Sequence, residues 1–170
     1  MESIQTVGTN SGCLLFVANL TALCYDKTKG GAKMEKLFSL TFYTQPNGTY
    51  RDAFQIGFFR NYDEAKKVEE FYRKEVPGFK DYPCDAEITE APIIGPTDGN
   101  FDSVYRYVGW NTNEDYDEID IIESHCYTDH AQAESDYKKT QLQIPREEWA
   151  LNLYRIGERH WQEGFVRETY

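Results

Sequence analysis

Three histidines, His125, His130 and His160, are the first residues to weigh for chemistry. Ser124 and His125 are a nucleophile and a base side by side. On a strand, however, neighbouring side chains point to opposite faces, so the two cannot act on each other. His125, Cys126 and His130 are potential zinc ligands. A closed zinc site needs four ligands in tight pairs such as C-x2-C, and no such pair occurs, so no metal is expected. The thiols of Cys84 and Cys126 read as small core or strand residues.

The run Asn111-Thr112-Asn113-Glu114-Asp115-Tyr116-Asp117-Glu118 has the oxygen density of a calcium loop. Counted from Asn111, its sixth position is Tyr116 where such a loop needs glycine. Its twelfth is Ile122 where it needs glutamate. The run therefore reads as a solvated hairpin loop. No phosphate-binding or dinucleotide-binding glycine loop, G-x-S-x-G elbow or H-E-x-x-H helix appears, and so no cofactor is expected. The acid pairs Glu69-Glu70 and Glu147-Glu148 read as solubility. No catalytic residue is assigned.

What remains is surface. The 170 residues carry 18 Lys+Arg against 29 Asp+Glu, a net charge of −11, which argues against direct binding of a nucleic-acid backbone. Hydrophobic residues make up 40% and aromatics 15%, enough for a core and against wholesale disorder. No apolar run nears the roughly 20 residues that cross a bilayer, and no membrane partner is expected. Acids gather at Glu114, Asp115, Asp117, Glu118, Asp120 and Glu123, close to Tyr105, Tyr107, Trp110 and Tyr116. Negative charge steers a basic protein and aromatic rings anchor it. The candidate partner-binding residues are Trp110, Asp115, Tyr116, Asp117, Glu118 and Asp120.

The elements that must position these residues alternate clearly after Met34. Phe38, Leu40 and Phe42 predict a half-buried strand, and Asn47-Gly48 a turn. Phe54, Ile56 and Phe58 predict a second strand. Asn61 to Glu64 open a helix whose apolar face is Ala65, Val68, Phe71, Tyr72 and Val76, stopped by Pro77-Gly78. Ala86, Ile88 and Ile93 give a third strand, with Pro92 making it an edge strand or a short piece. After the linker Gly95–Asn100 the order recurs: a strand over Val104–Trp110, another over Ile119–Tyr127, a helix capped at Thr128-Asp129, and a strand over Trp149–Ile156. A shift of sixty-six positions sets Ile122 on Ile56, Asp129 on Asp63, Ala131 on Ala65 and Tyr137 on Phe71. The expected fold is α+β: two ββαβ repeats, at 34–95 and 96–170, in a mainly antiparallel sheet with both helices on one face. Two small lobes joined at the linker are the alternative.

Residues 1–33 show no period. They lack the basic n-region of an export signal, their only charge before the apolar patch being Glu2. Lys29-Gly30-Gly31-Ala32-Lys33-Met34 back-translates to include AAGGAGG, a bacterial ribosome-binding sequence, just ahead of an ATG. The leader reads as a mis-called start with Met34 as the true one, or else as a disordered extension or an export signal. Without it only Cys84 and Cys126 remain, which fits a reducing cytoplasm.

Ile56-Gly57-Phe58-Phe59, Asp63-Glu64-Ala65 and Pro77-Gly78-Phe79-Lys80-Asp81-Tyr82-Pro83 resemble the first part of a small uncharacterised bacterial ββαβ domain family. Tyr154-Arg155-Ile156 and His160-Trp161-Gln162-Glu163-Gly164-Phe165 resemble its ending. The resemblance implies a fold and a bacterial origin, and no activity that could be carried over. The expected function is a non-catalytic acidic module that binds another protein with a basic surface, as an immunity or inhibitor protein does. The rivals are a nucleic-acid mimic that blocks a nuclease and an uncharacterised hydrolase.

Overall fold

The computed structural model describes residues 35–44, 52–97, 101–114 and 118–166. Strands take 45% of them and helices 24%, so one sheet governs the architecture. The order is β1 (Lys36–Thr44), β2 (Asp52–Phe59), α1 (Tyr62–Glu75), β3 (Cys84–Ile94), β4 (Ser103–Thr112), β5 (Glu118–Glu123), β6 (Cys126–Tyr127), α2 (His130–Gln143) and β7 (Glu148–Arg155). β1 lies between β2 and β3, antiparallel to both. β6 joins the halves: Ile93 and Ile94 of β3 pair with it in parallel, and Tyr127 bridges to Tyr105 of β4. β4 then carries β5 on the β6 side and β7 on the other.

Alternation along the strands sorts the side chains, offset once on β2 at Ile56, where the β1–β2 register shifts between Leu40 and Thr41. Leu40, Phe42, Ile56 and Phe59 face α1 and pack on its Ala65, Val68, Tyr72 and Val76. On the opposite face Leu37, Phe58, Ala91, Ile93, Val104 and Cys126 form a core shared by both halves. Each large buried side chain of this kind contributes about 1.5–3 kcal/mol. A third cluster, Tyr107, Tyr127 and Ala133, lies under α2. The α1 N-terminus is held by Asn61, whose side chain accepts from Glu64 N, and the α2 N-terminus by Asp129, which accepts from Gln132 N.

The sheet curls until its far ends meet. Gly157 N donates to Phe58 O (2.8 Å) and His160 N to Ile56 O (2.9 Å), so the segment after β7 lines the outer edge of β2. The Tyr72 hydroxyl donates to the His160 carbonyl. Phe165 N reaches the Pro77 carbonyl, and the Phe165 ring stacks on Phe54 at 4.9 Å between centroids. Trp161 meets Phe54 edge-on at 5.0 Å.

This overturns the expected α+β pair of ββαβ repeats. The sheet is a single mixed, curled one of seven strands, and the second half holds three strands before its helix. The single run expected over Ile119–Tyr127 breaks at Ser124. Its hydroxyl accepts from Tyr107 N (3.0 Å) in place of a backbone carbonyl and donates to His125 O (2.7 Å). Beyond that break Cys126 and Tyr127 turn to β3. Nor is the first half self-contained, since its aromatic core is completed by the tail of the second. The sixty-six-residue shift also fails inside the helices: Ala65 is buried, whereas the residue matched to it, Ala131, is exposed and Ala133 is buried instead. The expectations for residues 1–33 fall outside the described residues.

Candidate functional site

The acidic end is built on the β4–β5 hairpin. Asn111 pairs with Ile119 and Thr112 with Glu118. The connection from α2 to β7 folds over this end and clasps it. Asn111 is the knot: its Nδ2 donates to Asp120 Oδ2 (3.0 Å) and its Oδ1 accepts from Glu147 N (3.2 Å). Glu147 Oε2 in turn accepts from Thr112 N (2.8 Å), and Arg146 Nε donates to Asp120 O (2.7 Å). Asp120 takes φ 53°, a left-handed conformation that its short polar side chain tolerates.

Of the six candidate partner-binding residues, three are placed. Glu118 and Asp120 are exposed and Trp110 is half-buried, opposite Glu148 in the β4–β7 register. The Asp120 carboxylate is held by Asn111, so it shapes the hairpin as well as charging it. Asp115, Tyr116 and Asp117 lie outside the described residues. Asn111, Arg146 and Glu147 were missed by sequence reasoning. Their partners are distant along the chain, and no local spacing signals a clasp. Among the described residues no ion pair holds Glu114, Glu118, Glu147 or Glu148. The nearby Glu123 does pair, with Arg106 Nη2 at 2.7 Å.

The three histidines sit apart in role. His125 is half-buried, and burial, with Arg106 beside it, holds its pKa below the ordinary value. Its neutral form is therefore favoured. His130 meets the Tyr105 ring at 4.9 Å, and His160 meets Tyr154 at 6.3 Å. The Ser124 hydroxyl is used in the ladder. Burial pushes the Cys126 thiol up to about 11, which keeps it protonated and unreactive. Burial likewise pushes the Tyr72 hydroxyl up to about 12. Burial alone would raise the Glu69 carboxyl on α1, but the hydrogen bonds from Lys66 and Arg73 outweigh it and hold the pKa low. No group of three or more His, Cys, Asp and Glu suited to a metal occurs among the described residues.

Open depressions, among them these two, mark the surface of the described residues. One, of about 490 Å³, lies where α1 leads into β3 and is lined by Arg73, Lys80, Tyr82 and Cys84 among others. The other, of about 380 Å³, lies at the start of β1 beside Arg60 and Phe101. Neither holds a histidine. No helix among the described residues is long and apolar enough to cross a membrane. No family model, curated protein or solved structure matches the chain.

Proposed function

We propose that this protein is a non-catalytic module that binds a basic surface of another protein through its acidic end, and acts by covering that surface as an immunity or inhibitor protein would. The observation that carries this reading is the clasped β4–β5 end. Glu114, Glu118 and Glu148 stand exposed there without ion pairs among the described residues, next to a half-buried Trp110. A hairpin fixed by the Asn111–Glu147 clasp presents its carboxylates with little ordering cost on binding. Exposed carboxylates speed encounter with a cationic partner, and the indole supplies apolar contact once docked. A cytoplasmic setting, with Cys84 and Cys126 kept as thiols, belongs to the same reading.

The test compares charge reversals at two places. Glu114→Lys/Glu118→Lys/Glu148→Lys alters the clasped end, and Glu70→Lys/Glu75→Lys alters exposed acids of α1. Each immobilised protein is used to capture partners from the lysate of the native host. A partner retained by the wild type and the α1 variant, but lost by the triple variant and by salt raised to about 0.5 M, is the expected result. Equal retention by both variants overturns the reading.

A further inference from the structure

β3 and the β5–β6 run are neighbours on one side of β4's sheet, yet they pair only at their last residues, Ile93–Cys126 and Ile94–Tyr127. Upstream of that crotch there is no β3–β5 ladder, so the two parallel strands fork. The unpaired stretch runs back towards the starts of β3 and β5, and the start of β5 belongs to the clasped acidic end.

Between its two ends the inner edge of β3 pairs with no strand among the described residues, and the direction of its hydrogen-bonding groups can be assigned. Ile93 N donates to Glu35 O (3.0 Å), towards β1, whereas Ile94 O accepts from Thr128 N (3.1 Å), away from it. Direction alternates along a strand, so the even-numbered residues of β3 point into the fork. Cys84 obeys the same parity, since its carbonyl takes a bond from Arg73 Nη1 on α1 (2.8 Å). At Ala86, Ile88 and Glu90 the N–H and C=O groups point into the fork with no backbone partner among the described residues. Pro92, with no N–H to offer, closes this row next to the crotch.

The side chains define what fits. β3 and β5 together carry Asp85, Glu87, Glu90, Glu118, Asp120 and Glu123 and not one lysine or arginine. Lys36 from β1 pairs with Glu90 and Arg106 from β4 with Glu123. Glu87 is exposed on one face of β3, whereas Ala86 and Ile88 on the other are half-buried against the α1 core. Edge strands are usually blunted against pairing, often by lysine. This one has acids instead, which repel a second copy and accept a cationic strand.

We propose that the fork binds an extended basic segment of a partner protein as an added strand on β3, with Lys or Arg at alternate positions beside Glu87 and apolar residues between them beside Ala86 and Ile88. This rests on the reading of the protein as a binder of basic partners, and names how the partner is held. Backbone bonds supply affinity at Ala86, Ile88 and Glu90, and the alternating pockets supply selectivity.

The test uses the full chain and a fluorescent octapeptide of alternating lysine and valine, with anisotropy as the readout. Amide exchange by NMR is followed in parallel. The control peptide is the same sequence with every backbone amide N-methylated, which keeps the charge and removes the donors. Binding of the plain peptide and slowed exchange at Ala86, Ile88 and Glu90 are expected, with a loss of about tenfold or more for the methylated peptide, since two or three net hydrogen bonds are worth that much, and weaker binding by Glu87→Lys, which sets like charges opposite each other. Equal binding of both peptides without slowed exchange overturns strand addition while leaving the basic-partner reading intact. Binding of neither overturns both. A dimer that protects the same amides before peptide is added gives the edge to a second copy and overturns the proposal.

Discussion

Gly164 lies at φ 78° with the Pro77 backbone directly against it. A Cβ there would collide with the Pro77 carbonyl oxygen and approach its carbon at 2.9 Å. Both contacts are backbone, so neither can swing aside. Gly78, at φ 82°, faces the Phe165 ring in the same way, with 2.6 Å left for a Cβ. The two glycines are the points where the P-G-F stretch and the W-x-E-G-F stretch press together. Gly164→Ala is expected to cost about 2 kcal/mol, combining backbone strain with a clash. It should appear as a lower urea midpoint with an unchanged slope, and an unchanged midpoint refutes it. At the same scale, Tyr72 and not Phe71 fills the core: Tyr72 is 0% exposed and Phe71 39%. Both lie near the apolar face of α1, and periodicity alone cannot say which ring turns inward. The Tyr72 hydroxyl decides it, because it reaches the His160 carbonyl, a partner no local window contains.

At the scale of elements, the clasp ties α2's exit to the β4–β5 hairpin. Asn111→Ala removes the bonds to Asp120 and to Glu147 N. The end is solvated, so the expected cost is about 1 kcal/mol. The sharper readout is local: amide exchange at Thr112 and Glu147 should accelerate while the β1 core stays protected. Unchanged exchange there means the clasp is ornamental. Most elements were legible in the sequence for plain reasons. Alternation at Phe38–Phe42 gave β1, the Asn61 cap gave the start of α1, and Pro77-Gly78 gave its end. β6 was not legible. Two residues show no period, and their place in the sheet depends on what the Ser124 hydroxyl does to the ladder. The fork followed from that same break and was equally hidden. The acids of the candidate site were visible as composition, but their clasp was not, because Asn111 and Glu147 look alike whether solvated or bonded.

At the scale of the whole molecule, the two halves share one core. Leu37, Phe58, Ala91 and Ile93 from the first half share a core with Val104 and Cys126 from the second. Separating the chain at the Gly95–Asn100 linker would expose that core and strip Phe54 and Phe79 of Trp161 and Phe165. Residues 35–97 and 101–166 made as separate polypeptides are expected to show no cooperative thermal transition by circular dichroism. A sharp transition in either piece alone overturns this view. The likeness of element order between the halves misled for a physical reason. Strand and helix periods report which side chains face inward, but not which neighbour covers them.

The tail running from Gly157 to Phe165 sets a schedule for synthesis. A ribosome releases β1, β2 and α1 long before it makes the residues that seal them. Until then Phe54 and Phe79 lack the Phe165 ring, and the outer edge of β2 lacks the backbone partners that Gly157 and His160 supply. The nascent chain must wait, partly assembled and sticky, for the Gly157–Phe165 segment to arrive, and that interval is when a chaperone has something to hold.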